Sequence, residues 1–333
     1  MKYVLRDGKS STIPSDISLF YMFAGKSYKM KRIAFIIHGK IKRKRDIICK
    51  LESTFQGNYK PYFLMSEYSG HAIDLSCKAA SEGFNYIISL GGDGTLNEVV
   101  NGVMQARNLN PKLEIKVGVL PFGTGNDFVK TINSPHSFSG IKKLMDEDLS
   151  KEIDLGLVQF KNEKGADSSR YFINIADIGL GAVVVQNIRK YSRVLGPNLA
   201  YFVLVFKTLL SYRNQMIDAK AEEFIYEGKV KNFVIANGKY FGSGMGIAPD
   251  AEVHDGKFSV VILADVTLFH FLKFSSTLKK CRKVTHPQVM YKTTKEIIIG
   301  STSTPQPIDM DGEFIGYTPM NVKIKPGVLT FLC

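Results

Sequence analysis

Apolar and polar positions change their period partway along the 333-residue chain. Up to about residue 150, short β-branched runs at 33–37, 86–90 and 115–120 alternate with the stretches 71–80 and 96–106, where apolar residues recur at helical spacing. That alternation predicts an α/β domain with a parallel sheet. Beyond Asp154 the apolar segments shorten to 171–176, 230–237, 257–263, 295–299 and 322–325, separated by Gly, Pro, Asp and Asn. Such spacing predicts mostly antiparallel β structure. The exception is 198–212, which reads as an apolar helix. The expected organisation is therefore an N-terminal extension over 1–30, an α/β domain over 31–150 and a β-rich domain over 151–333.

The turn after the strand at 86–90 reads Gly91-Gly92-Asp93-Gly94-Thr95-Leu96-Asn97-Glu98. Its glycines admit φ > 0 and close approach of a ligand, and the free N–H groups and positive dipole end of a helix start favour phosphate. Asp93 would repel a bare phosphate, so its presence implies a metal ion, a held water or a hydroxyl. Alone, the segment is equally a tight turn before a capped helix. A second strand, 115–120, runs into Pro121-Phe122-Gly123-Thr124-Gly125-Asn126-Asp127. Two successive strand-to-glycine-loop units put both loops on one edge of a parallel sheet, the edge where open α/β sheets bind ligands. The nucleotide set expected here is Gly91, Gly92, Asp93, Gly94, Thr95, Leu96 and Asn97 with Gly123, Thr124, Gly125, Asn126 and Asp127. No Walker lysine accompanies them.

These two loops, in this order, resemble the catalytic domain of the diacylglycerol kinase and sphingosine kinase superfamily in its single-chain bacterial lipid kinase form. The likeness runs from about Lys31 to Cys333 and includes Ser66 with Gly70-His71-Ala72, Asp154-Leu155-Gly156, Phe172-Ile173-Asn174, Asn237-Gly238, Asp255-Gly256 and Asp311-Gly312-Glu313. It implies ATP as donor, Mg²⁺ as metal, and an active site in the cleft between a Rossmann-like parallel α/β domain and a sandwich-like β-rich domain. The last residues would return to the first domain. It further implies Glu313 as proton acceptor with Asp311 beside it, Asp93 as organiser of the catalytic Mg²⁺, and Ser66 as a nucleotide contact. A structural Mg²⁺ is implied around Glu252, Asp255 and the backbone carbonyl of Lys257. By itself, Asp-Gly-Glu is a hairpin turn. One segment departs from the family: where Asn-Pro-x-Ser-Gly is usual after the first strand, this chain has His38-Gly39-Lys40-Ile41-Lys42, continuing Arg43-Lys44-Arg45. NAD kinases share a Gly-Gly-Asp-Gly loop but lack the second loop and the late Asp-Gly-Glu.

Charge narrows the partners. Lys and Arg number 44 against 31 Asp and Glu, a net +13 that favours an anionic partner. Basic residues concentrate at 40–45 and at Lys279, Lys280, Arg282 and Lys283, the latter after the apolar stretch 266–272. Neither cluster carries the interleaved aromatics of a single-strand platform, so no nucleic acid partner is expected. With the lipid-kinase resemblance, an anionic membrane surface is expected instead. No run approaches the roughly 18 apolar residues of a span, and 1–30 does not read as a secretory leader, so the expected location is the cytoplasm at the inner membrane face. The four cysteines read as reduced thiols, and the six histidines show no metal-ligand spacing. The expected reaction is ATP- and Mg²⁺-dependent phosphorylation of a lipid hydroxyl, diacylglycerol to phosphatidic acid. Three readings stay open beside it: another lipid alcohol (sphingoid base, ceramide or phosphatidylglycerol), a soluble substrate in the NAD kinase manner, and a lipid- or nucleotide-binding regulator without turnover. A homodimer is also open.

Overall fold

The computed structural model describes residues 30–195, 210–301 and 304–333, with Tyr3, Val4, Ser10, Ser11, Val203, Leu204, Lys207 and Thr208 besides; of Tyr3, Val4, Ser10, Ser11, 188–195 and 301 it describes the backbone alone. In the first thirty residues, β1 (Tyr3–Val4) and β2 (Ser10–Ser11) pair antiparallel. Residues 31–333 form a separate compact unit.

That unit begins with the alternating elements β3 (Lys31–Ile37), α1 (Lys44–Thr54), β4 (Tyr59–Met65), α2 (His71–Ser81), β5 (Tyr86–Gly91), α3 (Asp93–Leu109) and β6 (Lys116–Pro121). Strand order is β6-β5-β3-β4, all parallel. The chain steps outward from β3 to β4 and then crosses back to place β5 on the other side of β3. The order reverses between β3 and β5, and a crevice opens beyond their carboxyl ends. The β-branched strand residues bury both faces of the sheet. Ala34, Ile36 and Ile87 meet Leu75, Val99, Val100 and Val103 of α2 and α3. Ile33, Phe35 and Ile88 meet Leu51 of α1 and Ile141 and Met145 of α5 (Phe138–Asp146). Helix α3 starts three residues before the expected position because Gly92 takes the N-cap, drawing Asp93 and Gly94 into its first turn. The short helix α4 (Asp127–Ile132) follows the second glycine loop.

Downstream lie β7 (Lys151–Lys161), β8 (Asp167–Phe172), β9 (Ile175–Gly179), α6 (Leu180–Leu195), β10 (Gln215–Ala221), β11 (Ile225–Val230), β12 (Asn232–Ala236), β13 (Tyr240–Phe241), β14 (Met245–Gly246), β15 (Phe258–Leu263), α7 (Leu268–Lys279), β16 (Val289–Thr294), β17 (Glu296–Ser301), β18 (Pro307–Met310) and β19 (Glu313–Phe331). These strands pair antiparallel around a core that includes Phe172, Phe233, Phe258, Ile297 and Ile308. The 171–176 segment is not one strand as its pattern suggests: β8 ends at Phe172 and β9 begins at Ile175, because the backbone N–H groups of Ile173, Asn174 and Ile175 all turn onto the Asp311 carboxylate. Of the expected helix at 198–212, residues 198–202, 205, 206 and 209 lie outside the described residues; Val203, Leu204, Lys207, Thr208, Leu210 and Ser211 are helical. Strand β19 leaves the hairpin at Asp311-Gly312, runs along β7, and ends parallel to β6 with Thr330 opposite Lys116.

Candidate active site

Four loops meet beyond the carboxyl ends of β3, β4, β5 and β6. The two glycine loops touch backbone to backbone: a β-carbon on Gly123 would stand 2.3 Å from the Gly92 Cα, so Gly123 admits no side chain without parting the loops. Gly39 is held as closely, since a β-carbon there would lie 2.2 Å from the Ser66 carbonyl oxygen, and the Ser66 hydroxyl accepts the Gly39 N–H at 3.3 Å. Asn126 sits in the left-handed region at φ 49 and clamps its loop, accepting from Gly123 N–H at 3.2 Å and donating to Gly123 C=O at 2.8 Å.

The resulting crevice has a volume of about 1360 Å³ and is lined by His38, Lys40, Lys42, Lys44, Ser66, Tyr68, Gly91, Gly92, Gly94, Thr95, Phe122, Gly123 and others. All lie at or before Gly123 except one, Glu313. Burial lowers the His38 pKa, with Lys40 adding to the effect, and the ring's Nδ1 accepts the Lys40 N–H. His38 is thus a neutral hinge of the first loop.

Asp93 ties the glycine loops together. Its carboxylate accepts the N–H groups of Asp127 at 3.2 Å and Phe128 at 3.3 Å, which are the orphan donors of the first turn of α4. Burial, then the neighbouring Asp127, raises its pKa. Asp127 does not face the crevice: its carboxylate accepts from Lys130 at 2.8 Å and from the Ser243 N–H at 2.9 Å.

Asp311 and Glu313, two residues apart, have different environments. Asp311, at φ 50 in the hairpin turn, is buried and accepts four hydrogen bonds: from Ile173 N–H, Asn174 N–H, Ile175 N–H and Asn97 Nδ2, at 2.7 to 3.0 Å. Burial pushes its pKa up to about 6, against the pull of these donors. Glu313 is half-buried, lines the crevice, and places Oε2 2.9 Å from Arg170 Nη2; its Oε1 faces Gly94. The same Arg170 nitrogen donates to Asn97 Oδ1 at 2.6 Å. A continuous chain therefore runs Asp311, Asn97, Arg170, Glu313, from a buried anchor to a carboxylate open to the crevice.

Two of the expected nucleotide contacts are corrected by these positions. Leu96, placed among nucleotide contacts by its motif, is 1% exposed in the core against the parallel sheet, and Asn97 is wholly buried in the Asp311–Arg170 chain. Helical spacing turns both away from the crevice that Gly94 and Thr95 line. Glu252, Asp255 and Lys257 lie on an exposed turn, where the Asp255 carboxylate accepts the Lys257 N–H. The turn is pinned by buried Asp154, which accepts from Gly256 N–H at 2.7 Å and Gly327 N–H at 2.8 Å. Lys283 is also not free, being paired with Asp250.

Sequence reasoning missed Arg170, Asn101 and the use of Glu98. Asn101 exchanges two hydrogen bonds with Tyr171 of β8, and Glu98 accepts the Gly70 and Ala72 N–H groups at the start of α2. The available signal was Asp93, Asn97 and Asn101 recurring every fourth residue along one side of a helix.

A further carboxylate pair lies outside the crevice. Asp177 and Asp309 are register partners on β9 and β18, and one oxygen of each lacks a protein partner. Burial raises both pKa values, Asp177 to about 7. The native state then keeps a proton that unfolded carboxylates, at about 3.9, have lost, so unfolding free energy falls as pH rises from about 4 through about 7, where Asp177 titrates. In Asp309→Asn, thermal melts over that range should show a pH slope smaller by about one proton; an unchanged slope would rule out the raised pair.

The pattern described as the diacylglycerol kinase catalytic domain matches residues 32–158, and that described as the YegS C-terminal NAD kinase beta sandwich-like domain matches 174–333. A diacylglycerol kinase of Staphylococcus aureus (strain JH9) is 30% identical over 277 residues, covering 83% of this chain and 82% of its own. That of Staphylococcus haemolyticus is 29% identical, covering 83% and 78%. Among solved structures, a diacylglycerol kinase from Bacillus anthracis superposes with TM-score 0.65 at 18% identity, covering 91% of this chain and 97% of its own. Yeast NADH kinase, at TM-score 0.50 and 11% identity over 92% and 83%, shares the two-part fold. The family match and these relatives make the chain a kinase, with a parallel α/β part and an antiparallel β-rich part. The chain belongs to the diacylglycerol kinase family.

Proposed function

We propose that the protein transfers the γ-phosphate of ATP, with Mg²⁺, to the hydroxyl of a membrane lipid, diacylglycerol in the first place, at the inner face of the cytoplasmic membrane. The observation that carries this reading is the crevice itself: touching glycine loops form its floor, and Glu313 is the carboxylate that the β-rich part contributes to it. Backbone N–H groups at the loops and the ammonium groups of Lys40, Lys42 and Lys44 supply positive charge for a triphosphate where a Walker lysine is lacking.

Mg²⁺ keeps several waters and needs only one or two carboxylates. Asp93 fits that demand, since each of its oxygens accepts one N–H and retains a second lone pair. When bound, the ion would neutralise charge on the transferring phosphoryl group. Glu313 receives the proton of the attacking hydroxyl while its other oxygen stays fixed on Arg170. The hydroxyl oxygen bonds to the γ-phosphorus and ADP leaves with the bridging oxygen.

The test is transfer of label from γ-labelled ATP and Mg²⁺ to diacylglycerol in mixed micelles, with a total lipid extract and NAD offered in parallel. Labelled phosphatidic acid is the expected product. A different labelled lipid corrects the head group, labelled dinucleotide moves the activity to the NAD kinase type, and no labelled product removes turnover altogether.

A further inference from the structure

Helix α7 presents an outward face that is both apolar and basic. Its inner positions, Phe271, Phe274 and Leu278, pack with Ile247, Val284 and Val289. On the outer side Phe269 is 70% exposed and Leu272 57%, followed by exposed Lys273 and Lys279. Lys280 and Arg282 continue the basic patch past the helix end. Among the described residues, none of these four cations forms an ion pair, and α7 contains no acidic residue. Two large apolar side chains at one end and unpaired cations at the other make an amphipathic interface helix, with the apolar residues fit to enter acyl chains and the cations to meet phosphate headgroups.

We propose that α7 and the segment to Arg282 dock the protein on an anionic phospholipid bilayer, Phe269 and Leu272 inserting and Lys273, Lys279, Lys280 and Arg282 neutralising headgroup phosphate; the choice of a bilayer rests on the lipid-kinase reading. Charge complementarity selects this occupant over a second copy of the chain, which would oppose like charges across the patch. The patch also reaches the glycine loops through one short hairpin. Cys281 packs on Gly246, where a β-carbon would lie 2.6 Å from the Cys281 Cα. Gly246 pairs with Tyr240, and Ser243 at the tip of that β13–β14 hairpin donates to Asp127.

The experiment is co-sedimentation of the full chain with vesicles of phosphatidylglycerol and phosphatidylcholine, against phosphatidylcholine alone. Wild type should bind the anionic vesicles at least about tenfold more tightly, and added salt should erase much of the difference. Lys279→Gln/Lys280→Gln/Arg282→Gln should lose that preference by about tenfold or more, and Phe269→Ser/Leu272→Ser should weaken binding to both. All the substituted residues are solvent-facing, and thermal melts check the folding of each variant. Turnover on short-chain diacylglycerol in neutral micelles should stay at the wild-type value in both. Equal binding to the two vesicle types, unchanged binding by either variant, or a solution dimer that Phe269→Ser dissociates would overturn the docking face. Because vesicle binding needs no turnover, absence of labelled lipid would overturn the kinase reading while leaving this result standing.

Discussion

Glu313→Gln lowers phosphoryl transfer by roughly 10²- to 10⁴-fold and leaves the ATP dissociation constant unchanged. Glutamine matches the size of the side chain, and its oxygen can still accept from Arg170, so the local fold survives. What it lacks is the basicity to take a proton as the lipid hydroxyl attacks. Glu313 is half-buried, and Arg170 holds its Oε2, leaving the crevice side of the carboxylate for substrate. The measurement is single-turnover transfer at saturating ATP beside equilibrium nucleotide binding. Full turnover in the variant would remove Glu313 from the chemistry.

Asp311→Asn should act through the fold. Asp311 accepts two donors on each oxygen: Ile173 N–H and Asn97 Nδ2 on Oδ2, Asn174 N–H and Ile175 N–H on Oδ1. Whichever way an asparagine amide is turned, its –NH₂ faces two donors. Two charge-assisted hydrogen bonds are lost in a buried place, at a cost of about 3 kcal/mol or more. The expected result is a clear drop in denaturation midpoint together with lost activity, whereas Glu313→Gln loses activity with an unchanged midpoint. Equal midpoints for Asp311→Asn and wild type would show that the anchor is not structural.

That contrast marks what the sequence could and could not carry. Glycine loops were legible because each is a local event: a strand, a turn needing no side chain, and a helix start. That both loops share one edge of a parallel sheet followed from strand–helix alternation, whereas the strand order and its reversal between β3 and β5 did not. The residues alone could not separate Asp311 from Glu313, and only the family resemblance set Glu313 as the base, because the difference between them is made by partners more than a hundred residues away, at 173–175 and 170. Leu96 and Asn97 were misplaced for a related reason. A motif groups neighbours in sequence, but a helix sends adjacent residues to different faces. The break at Ile173-Asn174 was invisible for the same cause: alternation continues through it, and only the carboxylate arriving from position 311 diverts its N–H groups.

Strand β19 gives the enzyme a common ruler. It begins at Glu313 in the crevice and finishes at Phe331 beside β6, the strand that feeds the second glycine loop. Nineteen residues of extended chain span roughly 60 Å. Acceptor side and donor side are therefore joined by one backbone, laddered to β7 along the way, and the ladder's register slips only between Tyr317 and Met320 and between Lys325 and Leu329. A one-residue insertion in the straight stretch from Met320 to Lys325 would flip side chains to the opposite face and shift the carboxylate against the sheet that holds the loops. The same insertion at either slip would be absorbed as a wider bulge. Length along this strand is thus a catalytic dimension, set far from any residue that touches phosphate.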